Sequence, residues 1–147
     1  MYKHILLPTA GSPLSGKAIR EAMAFAKATG ARITGFFAAP EYSVQVYGDF
    51  VPPDFITPQE FAKQTKRTAE KYLGVIEKAA DVAHVRCKTA FVTSDRPWQA
   101  IIKAAQKYDC DLIFMASHGR RGLAGLLLGS ETQKVLTHSK VPVLVHR

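Results

Sequence analysis

Two glycine-bearing stretches of this chain have residue types that could hold a phosphate group. The first, GSPLSGKA from Gly11 to Ala18, follows an apolar run and departs only at its last residue from the phosphate-binding loop pattern G-x-x-x-x-G-K-[ST]. In such a loop the helix begins at the Gly-Lys pair, and the preceding N–H groups stay free for the phosphates. Here Ser12 is a good N-cap and Pro13 a favoured first helical residue, so the helix is predicted to begin before Gly16. The last position, an alanine, also lacks the hydroxyl that coordinates Mg²⁺. The stretch therefore predicts a helix start.

The second stretch runs from Ala116 to Ser130 and reads ASHGRRGLAGLLLGS. Two glycines with nine residues between them, Gly119 and Gly129, let backbone amides approach a ligand closely. Gly129-Ser130 opens a helical pattern whose N-terminus is electropositive. Arg120 and the arginine that follows it could form charge-assisted hydrogen bonds to phosphate. The alternative is that the glycines serve only a tight loop and that Ser130 caps its helix. On the residues alone, both interpretations stay open.

Hydrophobic periodicity alternates between strand and helix along the whole chain. Two capping boxes, Thr57–Glu60 with a proline at the first helical position and Ser130–Gln133, predict helix starts. The predicted strands are Lys3–Thr9, Arg32–Ala39, Val85–Thr93, Asp111–Ala116 and Val141–Val145, and the predicted helices begin near Leu14, Thr57, Trp98 and Ser130, the first ending at Gly30 and the second near Ala80. Residues 40–57 are predicted to form a loop whose length is typical of loops with a function.

That order predicts an α/β fold with a parallel sheet wound by helices on both faces. The chain shows no repeat, linker or change of composition, so residues 1–147 are expected to form one domain. In such sheets ligands bind beyond the carboxyl ends of the strands, where the winding reverses. A functional site is therefore expected in the loops after strands one and four.

Composition narrows the classes of protein. The chain has 147 residues and a net charge of +8, without a charge run, an aromatic RNA-binding cluster or zinc-finger spacing, so nucleic acid is not an expected partner. No apolar run is long enough to span a bilayer and no signal peptide is apparent, so no membrane partner is expected. Cys87 and Cys110 lack metal or redox spacing and are expected to be small buried residues in a reducing, cytoplasmic compartment.

Other chemistry finds little support in the sequence. The five histidines lack metal-ligand spacing. Ser117 and His118 are adjacent but have no evident carboxylate to orient the histidine, so a hydrolytic triad is not predicted. Asp109 and Asp111 flank Cys110 at a helix-to-strand junction, where turn formation explains them better than paired acid–base work.

Three stretches resemble the universal stress protein family. The segment Ala116–Ser130 closely matches that family's loop after strand four, G-x-x-G, nine residues, then G-[ST]. The opening HILLPTAGSPLSGKA resembles the family's first strand and loop, and KVPVLVHR resembles its closing strand. The resemblance covers the whole chain, and the predicted order of elements agrees with it.

The resemblance implies a Rossmann-like, five-stranded parallel sheet in the order 3-2-1-4-5 with four helices, in a homodimer. Many members bind ATP or another adenine nucleotide, which is the implied cofactor here, with or without Mg²⁺. Backbone groups near the end of strand two would meet the adenine, the loop after strand one would face the ribose, and the loop after strand four would hold the phosphates. The implied site residues are Pro8, Thr9, Ala10, Ala38, Ala116, Ser117, His118, Gly119, Arg120, Gly129 and Ser130.

Two positions depart from the nucleotide-binding pattern of the family. Ala116 stands where its first motif glycine is expected, and Ala10 stands in place of its usual aspartate. Three hypotheses follow: a stress-response or signalling module that binds ATP without efficient turnover, a slow ATPase, and an interaction dimer that has lost its ligand. The closing strand, Val141–Val145, is apolar on both faces, and at a sheet edge it would favour pairing with a second copy.

Overall fold

The computed structural model describes residues 1–44, 48–118 and 128–147, which fold as strands and helices in strict alternation. The elements are β1 (His4–Pro8), α1 (Pro13–Thr29), β2 (Arg32–Ala39), α2 (Pro58–Ala83), β3 (Cys87–Thr93), α3 (Pro97–Lys107), β4 (Leu112–Ala116), α4 (Ser130–His138) and β5 (Val143–His146). All neighbouring strands are parallel, in the order β3-β2-β1-β4-β5. The predicted fold class, strand order and helices are confirmed.

The helix start within GSPLSGKA is also confirmed. Ser12 is the N-cap of α1, and its Oγ accepts a hydrogen bond from the Ser15 N–H at 3.1 Å. Gly16 therefore already lies in the first turn of the helix, and it cannot form a phosphate loop ahead of it.

Helix α2 begins at the predicted capping box. The Thr57 side chain accepts from the Glu60 N–H at 3.2 Å, and the Glu60 carboxylate accepts from the Thr57 N–H at 3.1 Å. The helix continues to Ala83, a few residues past its predicted end, and closes on His84 in a left-handed conformation with φ of 57°. Both ends of α2 are thus capped within the chain.

The capping box predicted at Ser130–Gln133 is wrong. The N-cap of α4 is Gly129, which has no side chain to accept a hydrogen bond, and Ser130 is the first helical residue. The Gln133 side chain donates instead to the Leu128 carbonyl at 3.3 Å. The first turn of α4 therefore lacks the side-chain cap that α1 and α2 have.

The last strand begins two residues later than predicted. Ser139 Oγ donates to the Val141 carbonyl and accepts from the Val141 N–H, which holds Val141 in a turn. The strand β5 then lies at the sheet edge beside β4. Its side chains alternate as predicted, since Val143 packs on one face of the sheet and Leu144 on the other.

Two apolar cores fill the two faces of the sheet. Ile5 and Leu7 of β1 pack with α1 and α2, whereas Leu6 packs with α3 and α4 on the opposite face. The central strands are therefore apolar on both sides, as expected of a parallel sheet covered by helices. No helix within the described residues is long and apolar enough to cross a membrane.

The amino ends of β1 and β4 are tied together by Asp111. Its carboxylate accepts from the Lys3 N–H at 2.8 Å and from the His4 N–H at 2.9 Å. Burial by itself raises the pKa of this carboxyl, but these backbone hydrogen bonds outweigh it and hold the pKa below its usual value. Asp109 has a φ of 52°, as a tight turn requires. Both aspartates thus serve the junction, as predicted.

Candidate functional site

A cleft of about 860 Å³ lies beyond the carboxyl ends of β1, β2 and β4. Helix α2 forms one wall and the first turn of α4 forms another. Eight of the predicted site residues line it: Pro8, Thr9, Ala10, Ala38, Ala116, His118, Gly129 and Ser130. The fold therefore brings together residues from three separate loops, at the position where the order of the strands reverses.

Three predicted residues do not line this cleft in the described part of the chain. Gly119 and Arg120 lie outside the described residues. Ser117 is buried beneath the cleft: its N–H donates to the His146 carbonyl at 2.8 Å, and its carbonyl accepts from the Gly129 N–H at 2.7 Å. Ser117 thus fixes the start of α4 against the end of β4.

The loop after β1 presents small groups to the cleft. Thr9 is buried, and its N–H donates to the Phe36 carbonyl at 2.9 Å. The Ala10 N–H lies 3.4 Å from Ser15 Oγ, and Ser15 Oγ lies 3.0 Å from Ser12 Oγ. At position 10 the cleft is therefore lined by the methyl group of Ala10, with the hydroxyls of Ser15 and Ser12 behind it, and not by a carboxylate.

The end of β2 presents backbone groups on the same side. Thr9 bonds to the Phe36 carbonyl, and Ser94 bonds to the Ala39 carbonyl, so peptide groups of β2 alternate between the β1 side and the β3 side. The pairing with β1 ends at Pro8 and Phe36. Ala38 thus directs its N–H and C=O beyond the end of β1, towards the cleft.

The first turn of α4 leaves three donors without an acceptor. Among the described residues, the N–H groups of Ser130, Glu131 and Thr132 have no hydrogen-bond partner. The Thr132 hydroxyl donates to the Ala116 carbonyl at 3.1 Å, which holds this turn against the end of β4. Free amides at a helix N-terminus form an anion-binding site when they face a cavity.

Glu131 is the acidic residue in this turn, and its carboxylate is occupied. Oε2 accepts from the Trp98 N–H at 2.9 Å, and Oε1 lies 3.4 Å from Lys134 Nζ. Glu131 therefore caps α3, which has no side-chain cap of its own. Trp98 itself is half-buried, and its ring lies beside that of His138 at a centroid distance of 4.6 Å.

His118 places a nitrogen in the cleft wall without a partner. Its Nδ1 lies 3.0 Å from Ser117 Oγ, whereas its Nε2 is buried and has no hydrogen-bond partner in the structure. A buried polar atom without a partner costs free energy, about 1–3 kcal/mol. A ligand acceptor would satisfy Nε2 if it carries the proton.

One wall of the cleft was missed by sequence reasoning. Successive turns of α2 supply the residues Phe61, Gln64, Thr65, Thr68 and Tyr72. The hydroxyls of Thr65 and Thr68 have no hydrogen-bond partner among the described residues. The helical spacing of these polar and aromatic residues was a signal, but the same pattern is typical of a half-exposed helix face.

Metal and triad chemistry find no support here. Within the described ranges, no three His, Cys, Asp or Glu side chains group as metal ligands. Ser117 and His118 lie next to each other on one short segment, and in the described part of the chain His118 donates no hydrogen bond to a carboxylate.

Comparison with protein families identifies the chain. The model of the universal stress protein family matches residues 1–147. The chain belongs to the universal stress protein family. A universal stress protein of Thermus aquaticus is 33% identical over 147 residues, which is 100% of both chains.

Solved structures show the same fold. The structure of MJ0577, a universal stress protein of Methanocaldococcus jannaschii, matches with a TM-score of 0.78 and 25% identity over 99% of this chain and 95% of that one. A universal stress protein in complex with cAMP matches with a TM-score of 0.70 and 20% identity, covering 99% and 97%. One from Archaeoglobus fulgidus in complex with dAMP matches with a TM-score of 0.63 and 17% identity, covering 99% and 98%.

The approach of α2 to the loop after β1 yields a prediction. Gly11 has a φ of 70°, and a Cβ there would collide with the ring of Tyr72, which is buried and packs edge-on against Phe37 at 5.2 Å. We expect Gly11→Ala to lower the free energy of unfolding by about 1–3 kcal/mol, because the backbone and the ring are both strained.

Gly16→Ala is the matched control. No atom lies within 4 Å of a Cβ at Gly16, which is helical, so this change should stabilise the protein by about 0.5–1 kcal/mol. Urea unfolding of both variants measures the difference. An equal effect of the two substitutions would contradict close packing of Tyr72 on Gly11.

Proposed function

We propose that this universal stress protein binds an adenine nucleotide in the cleft, with ATP as the ligand. The observation that carries the proposal is the first turn of α4. Its three N–H groups, which have no partner among the described residues, border the same cavity as the backbone edge of β2 at Ala38. One end of the cleft is thus suited to phosphate and the other to a base. The whole cavity, about 860 Å³, lies in the range of small-molecule sites.

At the phosphate end, the amides of Ser130, Glu131 and Thr132 would donate to phosphate oxygens, and the Ser130 hydroxyl would add a further bond. The helix dipole favours negative charge at this position. His118 Nε2, which is buried without a partner, would donate to the same group. Gly129 leaves room for the phosphate because it has no side chain. Gly119 and Arg120 stay predictions for this end.

At the base end, the N–H and C=O of Ala38 would pair with the edge of the adenine. Phe61 of α2 is the aromatic residue that could lie against the base, while Thr65 and Thr68 offer unpaired hydroxyls for the ribose. These hydroxyls would take over the role of the carboxylate that the family usually places at position 10.

The neighbouring structures support the class of ligand. Two universal stress proteins of this fold were solved in complex with cAMP and with dAMP, which share the adenine, a pentose ring and one phosphate. Their identity to this chain is low, so they support the adenine nucleotide as a class rather than ATP in particular. The choice of ATP rests on the family resemblance.

Turnover is expected to be slow. Phosphoryl transfer needs a positioned nucleophile and a metal that bridges the phosphates. Glu131 is the carboxylate among the described lining residues, and both of its oxygens are occupied by Trp98 and Lys134. Mg²⁺, if it enters with ATP, would be held by the phosphates. We therefore propose a binding module for stress response or signalling.

Titration calorimetry with ATP tests the proposal. Gly129→Val should abolish binding, because its side chain would occupy the phosphate position, while the extended backbone at φ of −69° accepts valine. Ser130→Ala should weaken binding by about 1–2 kcal/mol, since it removes one hydrogen bond to a charged group. Ala10→Asp with Ala116→Gly should tighten binding if the missing acceptor and the added methyl limit affinity.

Two variants serve as controls for this titration. Gly74→Val adds the same side chain in open space on α2, and Thr137→Ala removes a hydroxyl of α4 that bonds to the Gln133 carbonyl away from the cleft. Both should bind ATP as the wild type does. If neither the wild type nor the Ala10→Asp, Ala116→Gly protein binds ATP at millimolar concentration, the ligand-free interaction dimer replaces this proposal.

We also propose that the protein forms a homodimer through β5. This strand lies at the sheet edge, and its residues are half-buried, with Val143 and Val145 on one face and Leu144 and His146 on the other. Ile113 and Ser117 donate to the carbonyls of Pro142 and His146, so Val143 and Val145 direct their peptide groups away from β4. These groups would pair with a second copy.

Light scattering at micromolar concentration tests the dimer. The wild type should show twice the chain mass of 16.1 kDa. Val145→Pro removes an outward N–H but leaves the β4 ladder intact, so it should shift the protein towards monomer. Val145→Thr keeps that N–H and should stay dimeric. A wild-type mass near that of one chain would rule out the proposal.

A further inference from the structure

A second groove lies on the opposite side of β2, between α3 and the edge strand β3. Its volume is about 450 Å³, and its floor is formed by Phe36, Val92, Ala100 and Ala104. Lys103 and Lys107, one turn apart on α3, line its wall. The groove shares Phe36 with the candidate nucleotide cleft, but its other lining residues differ, and the proposed function assigns the groove no role.

The groove exists because the sheet extends beyond its helices. Helices α3 and α4 cover one face of the sheet, and β3 is the outermost strand at the edge opposite β5. The face of β3 that points towards α3 carries Lys88, Ala90 and Val92, and Val92 is 38% exposed. An apolar strand face beside a helix is thus open to solvent.

The outer edge of β3 offers unpaired backbone groups. Ile33 donates to the Arg86 carbonyl, and Ser94 donates to the Ala39 carbonyl, so even-numbered residues of β3 direct their peptide groups to β2. Cys87, Thr89, Phe91 and Thr93 therefore direct theirs outward. Such an edge is a template for an added strand.

The charges around this edge differ between its two faces. On the α3 face Lys88, Lys103 and Lys107 are exposed, and none of them forms an ion pair within the described residues. On the α2 face the nearest charges are acidic: Glu77 accepts from the Thr89 hydroxyl at 2.7 Å, and Asp81 lies near Cys87. Phe91 lies on that second face and is 40% exposed.

The carboxyl end of β3 is acidic on the groove side as well. Glu41 lines the groove there, and its N–H donates to the Asp95 carboxylate at 2.9 Å. The basic part of the groove is therefore the half near Lys103 and Lys107. A ligand strand must therefore place its acidic residues on the α3 face and near Lys103 and Lys107, away from Glu41.

We propose that β3 binds an extended, acidic segment of another protein as a sixth strand. Its acidic side chains would point into the groove towards Lys88, Lys103 and Lys107, and its alternate, apolar side chains would lie against Phe91 on the other face. Backbone pairing would supply affinity, and the alternation of charged and apolar residues would supply specificity.

The charges also disfavour a second copy of this chain at the same edge. The chain carries a net charge of +8, and two copies paired through β3 would bring two sets of unpaired lysines together. Lysine on an edge strand is a known protection against self-association. The same lysines attract an acidic strand.

The test uses a defined probe, a fluorescent eight-residue peptide that alternates glutamate and valine, with fluorescence anisotropy as the readout. It should bind the wild-type protein, and binding should weaken with added salt. A lysine–valine peptide of equal length should bind at least about tenfold more weakly, because each glutamate–lysine attraction becomes a repulsion.

Two pairs of variants locate the binding. The double variant K103E and K107E should weaken binding by about tenfold, while K63E with R67E, the same charge change one turn apart on α2, should not. Phe91→Pro removes an outward N–H without breaking the pairing with β2 and should abolish binding, whereas Phe91→Val should retain most of it. Addition of ATP should leave peptide binding unchanged in the wild-type protein and in all of these variants.

Any of five results would overturn the proposal. Four of them are no binding of the glutamate–valine peptide, equal binding of the lysine–valine peptide, equal loss in the α2 control, or a Phe91→Pro protein that binds as the wild type does. Circular dichroism of each variant confirms that its fold is retained. Self-association of the wild-type protein that Phe91→Pro abolishes would show pairing of two copies through β3, and it would also contradict the proposal.

Discussion

The adjacency of β1 and β4 in the sheet is the constraint on which the candidate site depends. Ile5 pairs with Leu112 and Leu6 with Ile113, although more than a hundred residues separate them in the chain. After β1 the chain passes to α1 on one face, and after β4 it passes towards α4 on the other. Two neighbouring strands whose connections leave in opposite directions necessarily open a crevice between them.

The helix ends around this crevice are satisfied in different ways. Helices α1 and α2 are capped by the side chains of Ser12 and Thr57, and α3 is capped by Glu131 from another helix. Helix α4 begins at Gly129 and is held by bonds to the end of β4, so its first amides stay available. A ligand anion would bind at the one helix start that no side chain caps in the described chain.

Much of this arrangement could be predicted from the sequence because it rests on local signals. Alternating periodicity predicted the strands, and Ser12-Pro13 and Thr57-Pro58 marked two helix starts correctly. The capping box at Ser130 failed because tertiary bonds from the end of β4 place the N-cap at Gly129 instead. The α2 wall and the lysine groove also depend on packing between distant elements. Neither Thr65 nor Lys103 carries a local sign of what it faces.

The central claim is that the free amides of α4 and the edge of β2 bind one adenine nucleotide between them. The most direct measurement is an amide NMR titration of the ¹⁵N-labelled protein with ATP. The account predicts the largest shifts at Ser130–Thr132, at Ala10 and at Ala38, with the groove residues Lys103 and Lys107 unchanged. Shifts confined to other regions, or none at millimolar ATP, would contradict it.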